Sequence, residues 1–417
     1  MNLTVDTCRL QKEIDELALI TEAEPPVVTR ILFSEADLRG RDFVKQLARD
    51  ARLVVRADAV GNIFARWEGT DRKLSAVATG SHVDAIPNAG KFDGVVGVLG
   101  AIEAIRALKQ SGYRPHRSVE LIVFAAEEPT RFGIGCIGSR LLSGVLAAEA
   151  AASLRDRDGK SLDEWRQCAG YAGPLDSICL PKGHYSAFVE LHIEQGPILE
   201  RENIRIGVVE KIAAPSTLRM LMAGAGGHAG AVLMPDRHDA GLAAAEIALA
   251  VERAVTGTGS PDTVGTTGVF RIEPGAVNSV PCRALLEIDV RDTRVATRDS
   301  ALAKIESAAA EICQRRGVTL QADRLNVDPP AICDRSLLET IAAVCRQLGF
   351  SYRKMISRAY HDTLFMAQIC PSTMIFVPCR AGISHRPDEY ASPEQIAPGV
   401  QVLAQSLAQL AGTATTI

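Results

Sequence analysis

Three histidines and a group of acidic residues fall where an α/β chain performs chemistry. His82 and Asp84 stand directly after the strand-like residues 75–79, and Asp93 stands just ahead of an apolar run that predicts a helix to about Gln110, closed by Ser111 and Gly112. Open α/β sheets present reactive groups at such strand ends. Pro87, Gly90 and Gly94 predict a loop that folds Asp93 back toward His82. Imidazole and carboxylate together are a donor set for divalent first-row cations. The plainer reading makes His82 a satisfied core histidine and Asp93 a helix N-cap, so the remaining chain has to decide. It adds three segments of the same kind: Glu127-Glu128 after the apolar run 118–126, His192 near the end of 186–193, and His385 in the loop 382–387.

Three histidines and two carboxylates suffice for two cations when one carboxylate is shared, and one glutamate is then left over. A two-metal hydrolase needs that remainder, because an unligated carboxylate must take the proton of the attacking water. Glu127 and Glu128 are adjacent and project in different directions, so one can bind metal while the other acts as base.

The elements that position these groups can be read in order. Residues 6–23 and 35–51 predict amphipathic helices, the second with Ser34 as N-cap. Residues 53–58 and 62–67 read as paired strands, and 118–126 as a strand buried on both faces. Helical periodicity broken at residues 156–159 fills 139–182. From about Glu210 the order becomes strand (217–223), helix (236–255), two strands (263–273, 282–291), helix (297–316) and strand (318–326). That β-α-β-β-α-β order is ferredoxin-like and self-contained. It predicts an inserted α+β domain at 211–326 within an α/β domain, a mixed sheet flanked by helices and carrying a di-metal site, formed by 1–210 and 327–417. A helix at 334–348, a segment 355–370, a strand at 373–378 and a C-terminal helix complete it. Ser392, Pro393 and Gln395 supply that last helix with an N-cap, a proline at its first position and a capping-box partner.

Composition narrows the partners. The chain has 417 residues, 47% hydrophobic and 23% charged, with a net charge of −4 and no Lys/Arg tract, which argues against nucleic acid and anionic membrane. No apolar run approaches the ~20 residues of a membrane span. Residues 1–7 lack a basic region followed by an apolar one, so no signal peptide is expected. The ten cysteines are scattered without a CxxC pair and read as reduced thiols of a cytoplasmic protein.

The segments GSHVDAIPNAGKFDG, FAAEEPTRFG, ELHIEQG, GAGGHAG, EPGAVNSVP and GISHRPDEY occur in this order along nearly the whole chain. Together they resemble the peptidase M20 metallohydrolases, and within them the amidase (hydantoinase/carbamoylase) branch that hydrolyses linear ureido acids. The resemblance implies one ion on Asp93, Glu128 and His385 and another on His82, Asp93 and His192, with Asp93 bridging. It makes Glu127 the general base and Asp84 the group that orients His82. Mn²⁺ is the first expectation for both ions, with Zn²⁺, Co²⁺ or Ni²⁺ as the others. Histidine at position 192, where peptidase members tend to have a carboxylate, together with Gln195 as a substrate contact, favours the ureido branch.

The resemblance also gives the inserted domain a role as lid and homodimer contact. His228 and Asn278 would reach a substrate in the partner subunit, with His228 on the developing oxyanion and Arg291 pairing with a carboxylate. Without the resemblance, Arg291 reads as a surface ion pair. Where carbamoylases and allantoate enzymes look like S-G-A-G-H-D, this chain has Ser357-Arg358-Ala359-Tyr360-His361-Asp362. Tyrosine in place of glycine narrows a pocket and adds a hydroxyl, which suits a small hydroxylated substrate. In this the chain resembles ureidoglycolate amidohydrolases, with allantoate and N-carbamoyl amino acids as the alternatives and a peptidase or aminoacylase further behind. His361, beside Tyr360, is a further substrate-contact candidate, whereas His116, His184 and His238 read as solvated or packed. The GxGxxG match at residues 133–138 would suggest a dehydrogenase, but Glu127 and Glu128 intervene after the strand and would repel a pyrophosphate. A non-enzymatic binding protein on this scaffold would be expected to have lost a ligand or the base, and none is missing.

Overall fold

Six consecutive residues from Val119 to Phe124 are buried, and the reason is the sheet around them. In the computed structural model, which describes residues 3–414, this strand runs parallel to Ala76–His82 on one side and antiparallel to Ile63–Trp67 on the other. Seven of the nine strands follow the order Val54–Ala57, Ile63–Trp67, Val119–Phe124, Ala76–His82, Tyr185–Ile193, Ser372–Val377, Ile206–Ile212. The central four are mutually parallel, so their C-terminal ends share one edge, and both sheet faces must be covered. Ile122, Phe124, Ala78 and Phe188 face one core cluster with Leu141 and Ile137. Helices Val95–Gln110 and Pro393–Ala411 pack on each other and on the sheet. Val95–Gln110 is apolar around nearly its whole circumference because it is enclosed on all sides. Burial of each Val, Leu or Ile there contributes about 1.5–3 kcal/mol.

The chain divides into two compact units. The first comprises Met1–Glu210, Ile332–Met355 and His361–Ile417, and the second Lys211–Ala331 with Ile356–Tyr360. The second unit is a four-stranded antiparallel sheet in the order Val264–Glu273, Arg283–Asp292, Ala214–Ala223, Thr319–Val327. Helices Ala240–Thr256 and Val295–Arg316 pack with Leu218, Met220, Leu286 and Ile288 in its core.

Three local expectations need correction. The first helix is Thr7–Ala18, capped by Asp6, and stops short of Ala23 because the following residues turn toward a short strand, Val28–Arg30. That strand pairs with Ala85–Ala89, inside the segment read from sequence as a loop. The helical stretch expected over 139–182 begins at Ile137 and, besides the expected break at 156–159, is interrupted at residues 144–147, giving three short helices, Ile137–Ser143, Ala148–Ser153 and Leu162–Cys168, the last with a complete capping box. At the C-terminus, Ser392 and Gln395 form the expected capping box.

Candidate active site

Parallel pairing sets the site. Strands Ala76–His82 and Tyr185–Ile193 are neighbours, and their register brings His82 and His192 side by side, with ring centroids 6.0 Å apart. Both imidazoles are buried. His82 Nδ1 lies 3.1 Å from the Asp84 carbonyl and His192 Nδ1 2.9 Å from the Ile193 carbonyl, so each ring turns Nε2 inward. The chain re-enters at Asp93, held at the start of Val95–Gln110 by Gly94 in a left-handed conformation. Asp93 Oδ1 stands 3.1 Å from His192 Nε2 and 3.6 Å from His82 Nε2. Asp93 Oδ2 stands 3.2 Å from His385 Nε2, which is also 3.3 Å from Glu128 Oε1.

Two triads of potential ligands therefore share Asp93: His82, Asp93 and His192, and Asp93, Glu128 and His385. Glu127 belongs to neither, with its Oε2 3.7 Å from His82 Nε2. The strand end that carries both glutamates is fixed by Asp84, whose carboxylate accepts from the backbone N–H groups of Glu127 and Glu128 at 3.4 and 3.0 Å. Asp84 thus aligns the glutamates as well as touching His82, for which its Oδ1 is 3.5 Å away.

The site concentrates buried negative charge. Asp84, Asp93, Glu127, Glu128, Glu190, Asp362 and Glu389 are all buried carboxylates. Burial pushes Glu127 and Glu128 above the usual carboxylate range, although His82 and His385 respectively oppose it. Burial drives Asp362 up to about 8. Asp93 behaves oppositely: burial would raise it, but hydrogen bonds from His192, His385 and His82 hold it well below the usual range. The contacts with Asp93 and Glu128 raise His385 to about 11. Crowded buried anions facing imidazoles are the environment that bound divalent cations neutralise, and mixed His/carboxylate donors suit Mn²⁺, Zn²⁺, Co²⁺ or Ni²⁺.

Other predicted contacts fall out as follows. Gln195 donates from Nε2 to Asp93 Oδ2 at 2.7 Å, while its Oε1 is buried with no hydrogen-bond partner. His361 is buried, with its ring 4.6 Å from that of His192. In the second unit, His228 lies on a two-residue strand paired with Ser279 and Val280, and its Nδ1 accepts from Gly230 N–H at 3.1 Å. The Asn278 carbonyl accepts from Ala229 N–H at 2.9 Å. Arg291 is paired with Asp289 at 2.7 Å, the plain ion pair its sequence context suggests. The Tyr360 hydroxyl donates to Asp328 Oδ2 at 2.9 Å.

Sequence reasoning missed four groups around the site. Glu190 accepts from Ser81 at 2.8 Å and from Thr363, and Asp362 accepts from Ser139 at 2.5 Å. Ser384 and Glu389 contact Asp93 from the far end of the chain. Asp362 had a signal in closing the segment 357–362, and Ser384 and Glu389 had one as members of GISHRPDEY, whereas Glu190 had only its place in a buried strand.

Comparison with known proteins finds relatives along nearly the whole chain. A ureidoglycolate hydrolase from Oryza sativa subsp. japonica is 54% identical over 413 residues, covering 97% of this chain and 85% of that protein. An N-carbamoyl-L-amino acid amidohydrolase from Geobacillus stearothermophilus is 37% identical, covering 97% and 98%. A crystal structure of AtUAH in complex with glyoxylate superposes with a TM-score of 0.94 at 53% identity, covering 98% of both chains. The family description Peptidase family M20/M25/M40 matches residues 78–409, and the chain belongs to that family.

Proposed function

We propose that this chain is a di-metal amidohydrolase of linear ureido acids, with ureidoglycolate as its substrate and glyoxylate, ammonia and carbon dioxide as its products. The observation that carries the reading is the pair of ligand triads sharing Asp93 with a spare carboxylate, Glu127, beside them. His82, Asp93 and His192 would hold one cation and Asp93, Glu128 and His385 the other, with Mn²⁺ first among the candidates. Bound divalent ions supply Lewis acidity toward the ureido carbonyl and toward water.

The chain's own groups do the rest. Glu127, whose burial raises its proton affinity, takes the proton of the attacking water and delivers it to the leaving nitrogen as the C–N bond breaks. Cleavage leaves carbamate, which breaks down to ammonia and carbon dioxide, and a 2-hydroxy-2-amino acid, which loses a second ammonia to give glyoxylate. Gln195 Nε2 is committed to Asp93, so its partnerless Oε1 accepts from a ureido N–H. His228 Nδ1 accepts from Gly230, which leaves the proton on Nε2 to stabilise the developing oxyanion. Arg291 exchanges Asp289 for the substrate carboxylate, and Asn278 and His361 contact the substrate. The Tyr360 hydroxyl already donates to Asp328, so its lone pairs accept from the substrate hydroxyl.

We assign the second unit, close to the 211–326 insertion expected from sequence, the roles of lid and homodimer contact. In support, its edge strand exposes Phe270 and Ile272, and helix Ala240–Thr256 exposes Leu242 and Leu249. No described helix is long and apolar enough to cross a membrane, and ten free cysteines favour the reducing cytoplasm. A second reading, N-carbamoyl-L-amino acid or allantoate hydrolysis, is favoured by the relatives that carry those names. Ammonia release from ureidoglycolate, allantoate and N-carbamoyl amino acids, with and without Mn²⁺, decides between them. Ureidoglycolate is expected to react fastest and only with metal; turnover of carbamoyl amino acids alone would overturn the assignment of Tyr360.

A further inference from the structure

Glu389 lies almost three hundred residues from Asp93 in sequence, yet one oxygen of its buried carboxylate is spent on the segment that carries Asp93. Its Oε1 accepts the backbone N–H groups of Phe92 and Asp93 at 2.8 and 3.0 Å. Its Oε2 stands 2.8 Å from Ser384 Oγ, which also stands 2.7 Å from Asp93 Oδ2. A Cβ at position 90 would come within 2.4 Å of Glu389 Cβ, so glycine there lets the acid close in. The ring of Phe92 meets Tyr390 edge-on at 5.7 Å, which locks the two segments from the other side. Ser384 directly precedes His385, whose φ of 59° is one that a non-glycine residue holds only when its surroundings impose it.

We infer that Glu389 is a positioning residue that sets Asp93 and, through Ser384, His385 in register for cation binding. The inference rests on the di-metal reading above and adds a group that touches neither ion nor substrate. Glu389 fixes the main chain of Asp93 through two amides, while Ser384 fixes the carboxylate oxygen that faces His385. A single acid thereby ties together two donors that the polypeptide supplies from opposite ends of the first unit.

The test is Mn²⁺ affinity of the chelator-stripped full chain, measured against a competing chromophoric chelator, with circular dichroism to report folding. Glu389→Ala should weaken Mn²⁺ binding by about 10–100-fold, whereas Glu389→Gln, which keeps an acceptor for both amides, should stay within about 3-fold. Ser384→Ala, which leaves the amide contacts intact, should fall between them, and it decides the matter should Glu389→Ala not fold. Wild-type affinity in Glu389→Ala, or in Ser384→Ala if only that variant folds, overturns the inference alone. Equal loss in Glu389→Gln and Glu389→Ala also overturns it, because charge and not acceptor geometry would then be responsible. Failure of the unaltered chain to take up Mn²⁺ would instead remove the di-metal reading itself.

Discussion

Gly94→Ala is the sharpest probe of the site that leaves every proposed ligand in place. A Cβ at position 94 would stand 2.4 Å from His82 Nε2, 2.5 Å from Cδ2 and 2.6 Å from Cε1. Normal contact between such atoms begins near ~3.5 Å, so the imidazole would have to retreat by roughly 1 Å. It has nowhere to go, because the ring is 1% exposed and backed by the Asp84 carbonyl at 3.1 Å. The backbone adds about 1–3 kcal/mol, since alanine would inherit a sparsely populated conformation with φ of 66°. A displacement of about 1 Å at a reacting constellation costs on the order of 10²-fold in rate. The expected result is a loss of that size in kcat/KM together with reduced metal content per chain, read by elemental analysis after dialysis. Gly112→Ala is the control, because Gly112 also has positive φ but no atom within 4 Å of its added Cβ; it should lose stability and keep activity. Gly94→Ala with full metal content and activity within a fewfold of wild type would refute the placement of His82 as a ligand.

Two further outcomes follow from the same geometry. Glu127→Gln should lower kcat by about 10²–10⁴-fold, the usual contribution of a general base, while metal content by elemental analysis stays at the wild-type level because Glu127 lies in neither triad. Asp362 is held up to about 8 when folded, against about 3.9 unfolded. Its contribution to stability is therefore complete below about pH 4 and lost as pH rises toward 8. Chelator-stripped Asp362→Asn should flatten that stretch of the urea-denaturation profile; an unchanged slope would contradict the buried acid.

Much of the scaffold was legible because it obeys local rules. The apolar run 118–126 and the capping box at Ser392 each announce themselves within a few residues. That the candidate donors cluster was legible for the same reason, since His82, Glu128 and His192 all sit at or just beyond strand ends. What sequence could not give is pairing at a distance. Val28–Arg30 is a three-residue strand whose partner contains Pro87, so neither half carries an alternating pattern. Glu190, Asp362 and Glu389 look like ordinary acidic residues until the fold withdraws them from water. Arg291 shows the converse: its placement against Asp289 satisfies the plain reading, and only a bound carboxylate would reveal another use.

The donors around Asp93 are drawn from positions between His82 and His385, and the clamp on Asp93 comes later still. During synthesis, therefore, the acidic centre cannot be completed until the strand Ser372–Val377 and the loop after it have left the ribosome. Until then the earlier carboxylates have no C-terminal imidazole to offset them and must stay hydrated. Under the di-metal reading, cation capture on Asp93, Glu128 and His385 would be one of the last events of maturation.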